Sequence, residues 1–160
     1  MSRWRKLREL SWADRWVLLH AAVLLVQSRL TVPYIDFRAD PGAADATLRN
    51  ATLPARTLQR AQAIARLVGI AAAHVPLDVA CLHRSLVLWR LLRGRGIPCE
   101  LRLGAAGTAG GAFEAHAWVE CAGVALNEGA AHLSRYRPFG TAVMPVGRRP
   151  RWRLATRRTS

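Results

Sequence analysis

The chain predicts an α+β fold, with N-terminal helices packed on a small antiparallel sheet and a cysteine at the N-terminus of the last helix before that sheet. Three observations carry the prediction. Apolar residues recur at helical spacing through residues 11–93. From residue 97 onward the apolar positions alternate, as in strands with one buried face. Between the two halves stands Cys81-Leu82-His83-Arg84-Ser85, with His116 and Glu128 downstream.

The 160 residues form one domain, large enough to bury a core, and with 51% apolar residues the chain is not a disordered one. We divide it into a helical part (1–76), a core that carries Cys81, His116 and Glu128 (77–147) and a basic tail (148–160). The 24 basic and 10 acidic residues give +14, and Lys6 is the one lysine. Such a surface favours acidic partners, although an arginine-rich solvated surface explains it equally well. Three cysteines are too few, and of the wrong parity, for a disulfide framework, so a reduced, cytoplasmic setting is expected.

Residues 1–10 are basic and carry Trp4. Ser11 is a helix N-cap with Asp14 three residues on, and the helix runs to about Arg29. Its centre, residues 16–26, is apolar apart from His20. That run falls short of the roughly 20 residues of a bilayer span, and no small-x-small cleavage site follows it. We read it as a buried or interfacial helix. Pro33 and residues 36–46 break the chain, with a turn at Pro41-Gly42. A second helix covers 57–73. A third runs from Cys81 to about Arg93, ended by Gly94 and Gly96. Strands are expected at 97–104, 113–120, 124–128 and 141–146, with a small-residue loop over 104–111. The tail has six arginines in thirteen residues and no pattern of stable structure.

The first turn of a helix offers unpaired N–H groups and partial positive charge, which favour a thiolate and can hold an oxyanion. Cys81 is placed to use both; a buried small apolar residue is the alternative on position alone. Cys121-Ala122-Gly123 fits a three-residue hairpin loop with its glycine left-handed. In that register His116 faces Glu128, with Cβ atoms about 5 Å apart. A two-residue Ala122-Gly123 turn would shift the register by one and turn Glu128 to the opposite face. A thiol, an imidazole and a carboxylate together make a nucleophile, a base and a group that orients the base.

His83 lies about 200° round the helix from Cys81 and cannot share its thiol. No C-x-x-C or H-x-x-x-H pair supports zinc, and no phosphate-loop pattern supports a nucleotide, so neither metal nor cofactor is expected. Cys99 reads as core and Cys121 as a loop residue. Arg84 pairs with a nearby carboxylate, Asp78 being one candidate, or simply anchors its helix. Trp118 either shields the His116 imidazole or is plain core.

Cys81-Leu82-x-Arg84-Ser85-Leu86, Leu91-Leu92, Arg95-Gly96-Ile97-Pro98 and Ala115-His116-Ala117-Trp118-Val119-Glu120 with Gly123 resemble the transglutaminase-like leader peptidases of lasso-peptide biosynthesis. The match covers roughly residues 60–130. It implies a papain/transglutaminase-like fold and a Cys–His–Asp triad, carried here by Cys81, His116 and, where aspartate is usual, Glu128. It further implies cleavage of a leader from a ribosomal precursor peptide, delivery of that leader by a separate recognition protein, and a downstream macrolactam-forming cyclase. Residues 1–56 are too few for a fused recognition domain. The rival expectations are acyl transfer to an amine on the same triad, and a non-catalytic basic module. No nucleic-acid partner is expected from the resemblance; peripheral membrane contact stays open.

Overall fold

The computed structural model describes residues 11–40, 53–107 and 111–147. The basic start with Trp4, the Pro41-Gly42 turn and the arginine tail lie outside the described residues.

Helix α1 (Trp12–Thr31) starts at Ser11, whose hydroxyl accepts the Asp14 N–H at 3.1 Å and donates to the Asp14 carboxylate at 2.7 Å. This reciprocal cap satisfies an N–H that the helix itself leaves open. A 3-10 turn (Val32–Tyr34) extends the segment to 23 residues, Trp12–Tyr34, which by length and composition could cross a membrane. The apolar run counted alone was shorter. In the fold its Ala21, Leu24 and Leu25 are core residues.

Helix α2 (Ala55–His74) and helix α3 (Cys81–Arg93) follow the expected pattern, α2 being two residues longer at its start and one at its end. Both present an apolar face to α1: Ala61, Ile64, Ala65 and Val68 from α2, Leu88, Leu91 and Leu92 from α3. Strands β2 (Glu100–Gly107) and β3 (Phe113–Cys121) form the central hairpin, pairing from Glu100↔Glu120 to Gly107↔Phe113. Leu101, Val119 and Cys121 point from it into the helical core.

Three expectations need correction. Residues 36–46 are not all loop, because β1 (Ile35–Ala39) pairs antiparallel with β6 (Val143–Gly147), Phe37 opposite Pro145. Ile35, Phe37 and Ala39 carry a period-two signal that Pro33 and Asp36 obscured. The supposed loop over 104–111 is strand as far as Gly107. The hairpin closes on two residues, not three: Ala122 and Gly123 both take positive φ, 48° and 74°, and Cys121 pairs with Val124. This is the primed two-residue turn that matches strand twist.

Strand β4 is therefore only Val124–Ala125. Beyond it lie the short helix α4 (Ala130–Leu133) and β5 (Arg137–Pro138), which had no sequence signal strong enough to read. The sheet order is β1-β6-β2-β3-β4, and β5 lies against β2 at Gly104 and Ala105. A second, smaller cluster of Ala106, Trp118 and Tyr136, with Ala125 and Leu133, lies apart from the helical core. His116 stacks into it.

Candidate active site

Cys81 is the first residue of α3, and its N-cap is Ala80, which has no side chain to close the helix end. The N–H groups of His83 and Arg84 turn back to the Ala80 carbonyl at 3.1 and 3.3 Å. The N–H groups ahead of them have no partner inside the helix. Cys81 is half-buried, whereas Cys99 and Cys121 are both buried. Those two thiols hydrogen-bond to each other, and that contact, ahead of burial, pushes Cys99 up. Cys121 is thus the last residue of a strand, not an exposed loop thiol, and is 0% exposed. Its side chain points into the core because the two-residue turn keeps it on the ladder.

With the hairpin closed on two residues, a continued β4 would carry Glu128 to the wrong face. The chain leaves the ladder instead. Leu126 donates its N–H to Val119 O at 3.0 Å, and the next ladder bond comes from a side chain: Asn127 Oδ1 accepts the Val119 N–H at 2.9 Å. The backbone, released from pairing, bends through residues 126–128 and brings Glu128 Oε1 to 3.3 Å from His116 Nε2. The two residues meet, but through a bend and not by facing each other across a ladder.

Asn127 was missed by sequence reasoning, and it has a second role. Its Nδ2 donates to Ser85 Oγ at 3.0 Å, and Ser85 Oγ–H donates to Ala117 O at 2.8 Å. Ser85 is completely buried. This relay fastens the second turn of α3 to β3 beside His116. It fixes the helix bearing Cys81 against the strand bearing the imidazole.

Around His116 the other groups close in. Tyr136 stacks on it at 4.7 Å between centroids, and His132 meets its ring edge-on at 5.1 Å. Trp118 lies near-parallel at 6.2 Å, with its Nε1–H donating to Glu120 Oε1 at 2.6 Å. Burial, ahead of the opposing pull of Glu128, holds His116 below its ordinary value, and the charges of His132 and Arg84 add to the lowering. His116 Nε2 is buried and its contact to Glu128, although short, is not aimed as a hydrogen bond. It is an ion-pair approach with room to tighten on binding, as catalytic contacts often do.

Glu128 is 14% exposed at its side chain and is gripped from three sides. Arg84 reaches the same Oε1 at 3.6 Å, and His132 Nε2 lies 4.0 Å from Oε2. Glu128, and not Asp78, is the carboxylate that Arg84 pairs with; the Asp78 carbonyl accepts from Arg29 at 3.1 Å. Tyr136 donates its hydroxyl to Glu114 at 2.7 Å, and this bond, first among several influences, holds the phenol above its ordinary value. Cys81 is the last of those influences. His83 lies on α3 away from this cluster, lowered first by burial and then by Arg29.

The donor atoms of His116, Glu128 and His132 all lie within 4.8 Å of one another, so these three could also hold a metal ion. His132 and Tyr136 are the other residues that sequence reasoning missed. They belong to a segment with no recurring period, and their aromatic character was the one available signal.

A thiol at an open helix end, on a helix fastened to the strand of an imidazole that a carboxylate backs, supplies the groups for acyl transfer through a thioester. The comparisons agree with that chemistry at the level of family. Residues 22–141 match the family model described as the transglutaminase-like superfamily. No curated protein and no solved structure matches the chain. The matched residues contain α2, α3, the central hairpin and all three candidate residues. The chain belongs to the transglutaminase-like superfamily, whose helix-plus-antiparallel-sheet fold it has and whose thiol-based peptidase and acyltransfer chemistry its site is suited to.

Proposed function

We propose that this protein is a cysteine peptidase that removes the leader from a ribosomally made lasso-peptide precursor. The observation that carries the chemistry is the His116–Glu128 approach at 3.3 Å, on a strand that Ser85 and Asn127 fasten to the helix whose uncapped start bears Cys81. The substrate class rests on the resemblance in the Cys81-Leu82-x-Arg84-Ser85-Leu86 and Ala115-His116-Ala117-Trp118-Val119-Glu120 blocks.

With Nε2 turned to Glu128, Nδ1 is the His116 nitrogen left for the thiol and the leaving group. His116 takes the Cys81 proton, and the thiolate sulfur attacks the carbonyl at the leader–core junction. The carbonyl π electrons move onto oxygen, and the open N–H groups of the first turn of α3 receive that oxyanion. Collapse breaks the C–N bond. His116 gives its proton to the departing amine, which is the new N-terminus of the core. Water then attacks the thioester, with His116 taking its proton, and releases the leader carboxylate and the Cys81 thiol. Glu128 supports the imidazolium formed in each half.

The partners in this reading are the precursor leader, a separate leader-recognition protein, and a macrolactam-forming cyclase that consumes the freed N-terminus. The setting is cytoplasmic. Purified protein, precursor and recognition protein test it: Cys81→Ala abolishes leader removal while the fold and leader association persist. Full cleavage by that variant would end the proposal. The superfamily also admits acyl transfer to an amine. Added amine would then appear as an amide product by mass spectrometry, where hydrolysis yields only the free carboxylate.

A further inference from the structure

Helix α1 has two apolar faces, and the fold uses one. Ala21, Leu24, Leu25 and Ser28 are buried toward α2 and α3. Trp12, Trp16, Leu19, Val23, Val26 and Leu30 are exposed along the whole helix, from 82% at Trp12 to 72% at Leu30. Their spacing alternates four and three residues, the a/d spacing of a helix seam. At 100° per residue the six positions fill a strip roughly 80° wide, centred about 170° from the buried face.

Beside this strip runs a groove of about 640 Å3, lined by Ala13, Trp16, Val17, Leu19, His20 and Val23 of α1 together with Arg60 of α2 and Arg95 beyond α3. Among the described residues, no carboxylate lines it. Arg60 is exposed and Arg95 half-buried.

We propose that this strip and groove are the docking site for an acidic amphipathic helix of a partner protein, seated along α1 with its carboxylates on Arg60 and Arg95. The shape and charge of the surface select this occupant. An a/d strip this narrow is a helix-packing seam, whereas a helix lying in a bilayer surface has a broader apolar face. A groove flanked by a second helix receives a cylinder better than a plane. A second copy of the chain would bring arginine against arginine, with +14 on each molecule. The chain's own basic ends, residues 1–10 and 148–160, have the same sign as the groove. The inference stands independently of the reaction at Cys81.

The test uses the full chain and two synthetic helices of about five turns, each with leucine at a and d. One carries glutamate at e and g, the other lysine. Fluorescence anisotropy is expected to give binding of the acidic helix at least about tenfold tighter than the basic one. Arg60→Glu with Arg95→Glu reverses that preference, and Leu19→Glu with Val23→Glu abolishes binding of both. Circular dichroism and the iodoacetamide labelling rate of Cys81 stay unchanged in these variants, which separates lost docking from lost folding. Equal binding of the two helices, or a preference that survives the charge reversal, overturns the proposal. So does binding to phosphatidylserine vesicles in place of the acidic helix, or a dimer in light scattering that Leu19→Glu disperses.

Discussion

Glu128 is the residue at which local pattern and tertiary structure part company. Its approach to His116 was legible as an idea, but the route expected for it was wrong, since a two-residue turn shifts the register by one. Asn127 rescues the contact by lending its amide to the ladder in place of backbone. Two predictions follow at this scale. Glu128→Gln keeps the shape and removes the charge that raises His116, so the imidazole pKa falls further below its ordinary value and, in the proposed reaction, leader cleavage slows. Proton NMR titration of the His116 ring reads the shift; a rise or no change refutes the assigned direction. Asn127→Ala leaves the Val119 N–H without its acceptor and Ser85 Oγ without the bond it accepts, which costs about 1–3 kcal/mol in urea unfolding. A cost near zero would mean the relay does not fasten α3 to β3.

Among the elements, α3 and the central hairpin decide the site. Helix α3 was read from sequence with both ends correct, because cysteine, leucine spacing and two stop glycines all agree. The hairpin was legible as a pair of strands, but its turn was not, because Ala122 adopts a conformation that alanine seldom takes. Gly104 has its own requirement. It stands opposite His116 in the ladder, and a Cβ there would lie 2.8 Å from Arg137 O and 2.9 Å from the Trp118 ring. The missing side chain lets Trp118 lie across β2 beside the imidazole and lets β5 pair at this point. Gly104→Ala is expected to destabilise by about 1–3 kcal/mol, measured by chemical denaturation. A neutral result would show that Trp118 and β5 can shift without loss.

Across the whole molecule, one buried and one half-buried histidine set a pH response. His116 and His83 are both lowered from 6.5, burial being the first cause in each. Below 6.5 the unfolded chain therefore binds more protons at these positions than the folded one. Their contribution is fully present above 6.5 and is lost as pH falls through the lowered folded values. The urea midpoint should drop as pH falls below 6.5, and His83→Gln with His116→Gln should flatten that slope. An unchanged slope would remove these histidines as its source. Glu114, lowered first by its Tyr136 hydrogen bond, titrates in a separate window below 4.5. At this same scale α1 joins two functions: one face closes the core, and the other is an open seam beside two arginines.

The sequence by itself determined the α+β order, the three helices, the central strand pair, and Cys81 and His116 as the groups to watch. These follow from periodicity and from chemistry local to a helix end, which neighbouring residues are enough to specify. Tertiary structure alone decided that β1 closes the sheet against β6, that Asn127 ties α3 to β3, that Tyr136 and His132 enclose the imidazole, and that Glu128 arrives by a bend. Each of these joins residues far apart in the chain or depends on a single turn. A register change of one residue reverses which face a side chain occupies, and only packing of the complete fold selects between the two.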